Sequence, residues 1–151
     1  MKVFRISKCI FINDLSGTGS YSYGGRWNSK GVRILYTSVS SSLALLESVA
    51  HGVKPNTEYC LAVLDIPEDK IFEINLEQLP VGWKSNLAPE VLKKIGDNFV
   101  REMKYLGIKV PSVLNQYEFN FLLNPRHPDF QKVKIISTVQ VTVDGRLIGL
   151  N

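Results

Sequence analysis

Arg26 stands directly behind two glycines in GGRWNSKG, residues 24 to 31. Glycines let the backbone bend sharply and let a ligand approach closely, and a guanidinium offers five N–H donors in a planar fork that suits a phosphate or a carboxylate. The stretch reads either as an anion grip or as a tight turn with Arg26 solvated or ion-paired and Trp27 in the core. Glu47 and His51, in ALLESVAH, fall one helical turn apart on a face shared with leucines. A charge there is costly unless it is paired or used. Three chemistries are open: a catalytic carboxylate, a buried pair of Glu47 with His51 or an arginine, and metal ligation by the i, i+4 pair. The last is disfavoured because no further acids and histidines follow at ligand spacing. Tyr36 closes an apolar run just before that helix, so its ring either lines a pocket near Glu47 or sits in the core with its hydroxyl bonded. Ser112 follows Pro111 with no GxSxG elbow around it, and NPRHPDF at 124 to 130 reads as a rigid corner. Neither GxGxxG nor GxxxxGK[ST] occurs, which excludes a dinucleotide-binding turn and a P-loop of those types.

The elements that must position these residues are short. KVFRI at 2 to 6 reads as a strand, 13 to 25 as a loop, and VRILYT at 32 to 37 as a buried strand. Residues 40 to 52 read as a helix, capped by a serine and ended by Gly52. TEYCLAVLDI at 57 to 66 and IFEI at 71 to 74 are strands, with a turn at LPVGW, 79 to 83. A second helix is predicted over 88 to 107, with proline near its start and glycine past its end, despite an internal Gly96. IKVPSVL and EFNFLL follow as short segments, and KVKIISTVQVTVDGRLIGL reads as two strands about an Asp144-Gly145 hairpin. Many short strands and few helices favour an antiparallel-rich α+β domain over a doubly wound parallel sheet, with residues 1–151 forming a single domain.

A composition of 44% hydrophobic and 21% charged residues without biased tracts excludes disorder, collagen and coiled coil. The net charge of +4 permits an anionic partner without choosing one, and no interleaved aromatic and basic stripe for single-stranded nucleic acid is present. Cys9 and Cys60 lack a CxxC or a histidine cluster, so they are expected as separate buried thiols. No apolar run reaches the roughly 20 residues of a membrane span and no signal peptide pattern opens the chain, which points to the cytoplasm.

Taken together, FRIS at 4 to 7, GGRWNSKG, LYTS at 35 to 38, ALLESVAH at 44 to 51, VPSVL at 110 to 114, EFN at 118 to 120 and NPRHPDF resemble the RES domain, the toxin half of a bacterial toxin–antitoxin pair. The resemblance implies an ADP-ribosyltransferase-like fold, a mixed or antiparallel β core flanked by helices. It also implies an enzyme that takes NAD as substrate, with no cofactor beyond it, and cleaves the nicotinamide–ribose bond as a glycohydrolase, phosphorylase or transferase. On this resemblance Arg26, Glu47 and Ser112 correspond to the three residues that name the family, and Tyr36 to a recurrent tyrosine. Arg26 would clamp the pyrophosphate, Tyr36 stack on nicotinamide, Glu47 stabilise the ribose cation, and Ser112 bond the ribose or position Glu47. Arg5, Gly25, Trp27, Asn28, His51 and Asn124 would be substrate contacts or their supports. The implied partner is an antitoxin with an Xre-type helix-turn-helix in a hetero-oligomer, so any DNA contact would be the partner's and no membrane is involved. Two other readings compete: a nucleic-acid-cleaving toxin, and a non-catalytic interaction module in which Arg26 and Glu47 pair internally. The NAD reading requires the guanidinium and the carboxylate at opposite ends of one cleft sized for a dinucleotide.

Overall fold

A computed structural model describes residues 1–87 and 89–149. Alternating apolar runs form β1 (Lys2–Lys8), β2 (Leu35–Ser38), β3 (Tyr59–Asp65), β4 (Ile71–Glu73), β5 (Gly107–Pro111), β6 (Phe119–Leu123) and β7 (Lys134–Val141). The helices are α1 (Thr18–Tyr23), α2 (Ser41–Ala50) and α3 (Glu90–Glu102). The strands make one sheet in the order β4-β5-β6-β2-β1-β3-β7, antiparallel throughout except for the parallel β4–β5 pair. The fold is therefore α+β with a mixed, antiparallel-rich sheet.

Register decides which residues share a face, because successive side chains of a strand alternate. Ser38 pairs with Asn120 and Tyr36 with Leu122; Asn120 and Leu122 pair in turn with Val110 and Ile108. These side chains, with Phe4 opposite Ser38, occupy one face. There Trp27, Leu92, Phe99, Val100, Ile108, Val110 and Leu122 form a buried cluster under α3. The opposite face carries Val3, Leu35, Ala62, Leu64, Phe121 and Leu123, packed with Ile12, Leu106 and Val133 from the connecting segments.

Five expectations are corrected. The loop over 13 to 25 contains α1, six residues begun by Gly17 in the left-handed region at φ 70° and too short to show periodicity. The strand expected from 32 begins at Leu35, because Asn28 Nδ2 takes the Val32 carbonyl and Ser20 Oγ takes the Ile34 amide in place of ladder partners. Among the described residues no hairpin forms at Asp144-Gly145: β7 is followed by a 3₁₀ turn over Gly145–Ile148, in which the Asp144 carboxylate accepts the Arg146 amide. Cys9 and Cys60 are not free thiols but a disulfide, since antiparallel pairing of Ser7 with Cys60 and Lys8 with Tyr59 brings their Cα atoms to 4.8 Å. The predicted second helix ends at Glu102 rather than 107, with Met103 left-handed at φ 55°. Ala88 of that helix, and Leu150 and Asn151 at the end of the expected domain, lie outside the described residues.

Candidate active site

Helix α2 lies against β1 and β2. Ser40 caps it by accepting the Leu43 amide, and its hydroxyl also donates to Glu118 Oε1 at 2.6 Å. Asn115 donates to Glu118 Oε2 at 2.8 Å, so the β5–β6 connection grips the helix start. Two turns later the Glu47 carboxylate meets the sheet. Ser112 Oγ donates to Glu47 Oε1 at 3.1 Å and Asn120 Nδ2 donates to the same oxygen at 2.6 Å. Among the described residues Oε2 receives no hydrogen bond.

Ser112 is buried, and the amides of Leu114 and Asn115 both donate to its oxygen, at 3.1 and 3.2 Å. A hydroxyl has one hydrogen and two acceptor positions. All three are taken, so Ser112 aims Glu47 and has nothing left for a ribose or for nucleophilic attack.

The glycine turn is held from several sides. Tyr36 Oη donates to Asn28 Oδ1 at 2.7 Å and accepts the Trp27 amide at 3.2 Å, while buried Asn28 donates to the Ser20, Ser29 and Val32 carbonyls. Burial pushes the Tyr36 phenol far above its ordinary value, so it works as a neutral hydroxyl. Gly24 is left-handed at φ 72°, and a Cβ on Gly25 would stand 2.6 Å from Tyr36 Oη. Asp97 of α3 accepts both the amide and the hydroxyl of Ser29, at 2.9 and 2.6 Å. The Arg26 guanidinium, half-buried, donates through Nη1 to the carbonyls of Trp83 and Ser85 at 3.1 and 2.9 Å. Among the described residues Nε and Nη2 have no acceptor, which leaves three N–H groups for an anion.

Tyr36 and Ser38 are adjacent positions on one face of β2, about 7 Å apart along the strand. Tyr36 reaches Arg26's turn, and Ser38 reaches Asn120 beside Glu47. The guanidinium end and the carboxylate end are thus assembled on one face of one sheet.

The sequence matches the RES domain over residues 2–144. The chain belongs to the RES domain family. Relatives span nearly all of it. A protein named Toxin Res from Photorhabdus laumondii is 32% identical over 98% of this chain and 97% of its own length. A Toxin Res from Yersinia enterocolitica is 39% identical over 83% of this chain and 82% of its own. A Prs ADP-ribosylating toxin from a Sphingobium species is 35% identical over 90% of this chain and 88% of its own. Among solved structures, the M. tuberculosis MbcT–MbcA toxin–antitoxin complex superposes with a TM-score of 0.79 over 99% of this chain and 87% of the matched chain, at 15% identity. At that identity the likeness shows the fold.

Within this RES domain, not every expected contact is brought to the site. Arg5 pairs with Ala62 on the opposite face of the sheet, where Nη1 holds the Ile12 and Phe11 carbonyls at 2.8 and 3.3 Å and burial lowers its pKa. Asn124 is buried at the end of β6, its amide donating to Val100 O at 3.1 Å to tie down the end of α3. His51 is exposed past the end of α2, and its Nδ1 lies 2.7 Å from the Glu47 backbone carbonyl, not its carboxylate. Glu47 and Arg26 are not partners of each other, which removes the internal-pair reading. One cavity of about 440 Å³ lies between β4 and α3, lined by Phe72, Ile95 and Tyr105, and another of about 380 Å³ lies behind the turn, lined by Gly24, Gly25, Lys30 and Lys93. Neither of these two includes Glu47 or Arg26.

Three contributors escaped sequence reading: Asn120, Ser38 and Gly96. Asn120 belongs to the EFN block and Ser38 to LYTS, yet only the register shows that they meet. Gly96 carried a usable signal, since a glycine inside a helix marks close approach of another backbone. A Cβ there would fall 1.7 Å from the Trp27 carbonyl oxygen. Among the described residues no three His, Cys, Asp or Glu side chains gather to hold a metal ion.

Proposed function

We propose that this RES domain is the toxin of a toxin–antitoxin pair and that it destroys NAD by breaking the bond between nicotinamide and ribose. The observation that carries the reading is the Glu47 carboxylate, fixed by two neutral donors on Oε1 with Oε2 open, on the sheet face that also holds Arg26 and Tyr36. As nicotinamide leaves with the bonding electron pair, positive charge develops on the ribose carbon. A carboxylate held beside the sugar lowers the energy of that charged state far more than that of neutral ribose. Arg26 keeps the pyrophosphate through Nε and Nη2 while Nη1 holds the 83–85 segment, so substrate binding and loop position are coupled through one side chain. The half-buried ring of Tyr36 offers a flat wall for nicotinamide. The cation is then taken by an acceptor oxygen, which releases its proton to solvent; water, phosphate and a protein side chain all satisfy this balance.

The Sphingobium relative named as an ADP-ribosylating toxin supports chemistry on NAD, and the MbcT–MbcA neighbour supports an antitoxin partner. That partner would carry an Xre-type helix-turn-helix and supply any contact with DNA. The described residues include no helix long and apolar enough to cross a membrane, in keeping with action in the cytoplasm. Cytoplasmic reductants would open the Cys9–Cys60 bridge, which joins the residue after β1 to β3 outside the residues used here.

Purified protein is incubated with NAD, with and without phosphate, and products are identified by mass. Nicotinamide should appear in step with NAD loss, and Glu47→Gln should slow it about 10²- to 10³-fold. An undiminished rate in Glu47→Gln overturns the assignment; RNA cleaved with NAD untouched establishes the nucleic-acid reading instead.

A further inference from the structure

We propose that Ser38 and Asn120 form a positioning relay that sets the orientation of the Glu47 carboxylate. The inference rests on the NAD reading above and adds to it two residues, neither of which touches substrate. Ser38 Oγ lies 2.7 Å from Asn120 Oδ1, and Asn120 Nδ2 lies 2.6 Å from Glu47 Oε1. A primary amide can be turned either way about its last torsion, which exchanges oxygen for nitrogen. Turned over, Asn120 would put its carbonyl oxygen against a carboxylate oxygen, a repulsive contact. The Ser38 hydroxyl, donating to Oδ1, fixes the amide with its N–H groups toward Glu47. Ser38 itself is buried and pinned by pairing with Asn120 across β2 and β6. The result is a directed chain in which Ser38 donates to Asn120 and Asn120 donates to Glu47, with Ser112 donating to the same oxygen from the other side.

With Ser112, the relay occupies Oε1 from two sides, so that the carboxylate is fixed through one oxygen and Oε2 is left without a donor among the described residues. The titratable groups of the packed elements, Glu118 before β6 and His51 at the end of α2, are not members of the chain.

The test measures kcat and KM for NAD loss, and thermal stability, in Asn120→Asp, Ser38→Ala and Ser38→Thr, beside Glu47→Gln. Asn120→Asp replaces a donor with a like charge, so kcat should fall about 10²-fold with KM little changed. Ser38→Ala should lower kcat by a smaller factor, again with KM little changed, and Ser38→Thr, which keeps the hydroxyl, should restore the wild-type kcat. A merely structural role would lower thermal stability and leave the kcat of the folded protein unchanged. If Glu47→Gln is inactive while the other variants keep wild-type kcat, the relay is refuted and the NAD reading stands. If Glu47→Gln is fully active, the NAD reading fails first. Should Asn120→Asp not fold, the Ser38 pair decides alone: a wild-type kcat in Ser38→Ala refutes the relay.

Discussion

The Glu47 carboxylate is gripped by side chains from the sheet, whereas the Arg26 guanidinium is gripped by two backbone carbonyls of a loop. At the first end, Ser38, Ser112 and Asn120 come from β2, the residue after β5, and β6, so strand register places all three. At the second, the turn bearing Arg26 is stacked on Gly96 and Asp97 of α3 and closed by Trp83 and Ser85. The difference teaches a division of labour. Charge-stabilising chemistry requires a carboxylate that does not move, and a sheet supplies that. A large anionic substrate requires something that opens, and loops supply it.

The largest effect is expected where the loop end meets a rigid element. Gly96→Ala puts a methyl into the Trp27 carbonyl at a distance no packing tolerates, so either α3 or the glycine turn must move. A stability loss of about 3 kcal/mol is expected in urea unfolding. A loss under about 0.5 kcal/mol would break the claim that the turn is shaped by close approach of the helix.

Ser112→Ala tests the other end and should be milder in stability. It removes one donor to Glu47 and leaves the Leu114 and Asn115 amides without their acceptor, a cost of about 2 kcal/mol. Turnover should nonetheless fall about 10²-fold, because Glu47 loses one of its two anchors. The comparison would sharpen if Gly96→Ala lowered stability more and Ser112→Ala lowered turnover at unchanged KM. Equal effects on both quantities would dissolve it.

These two residues also show how far the sequence could be read. Ser112 was readable as one block of a constellation, and α2 was readable from its leucine spacing, its serine cap and Gly52. The strands were readable as apolar runs, and so was the preference for antiparallel pairing. What could not be read was contact between distant segments. Arg5 looked like a candidate because an arginine in a strand gives no sign of which face it takes until register is known; one position along β1 decides it. The Cys9–Cys60 bridge was hidden for the same reason, across 51 residues. Asp144-Gly145 misled because aspartate followed by glycine serves equally well to cap a 3₁₀ turn as to make a hairpin.

The smallest effect concerns the outer brace of the loop end. Asp14 accepts the hydroxyl and the amide of Ser16, at 2.5 and 2.9 Å, and Ser16 leads through Thr18 into α1 and so to Gly24. Arg33 donates to both the Ser16 carbonyl and the Thr18 hydroxyl, closing the brace. The Ser16 hydroxyl, then its amide, hold the Asp14 carboxyl below its ordinary 3.8. A depressed folded pKa means that the unfolded chain binds the proton more readily. The contribution of Asp14 is therefore fully present above the ordinary carboxylate range and disappears as pH falls through the lower folded value. Because the carboxylate is exposed, solvent screens it and the effect on global stability is small. Following the Ser16 amide resonance by NMR from about pH 6 to about pH 2 should give a midpoint below that ordinary value, and Asp14→Asn should abolish the titration. A midpoint at or above it would mean that the brace does not form. The loop end would then rest on its inner contacts, Gly96, Asp97, Tyr36, Asn28 and the Trp83 and Ser85 carbonyls, and the contrast with the sheet-built carboxylate would be wider still.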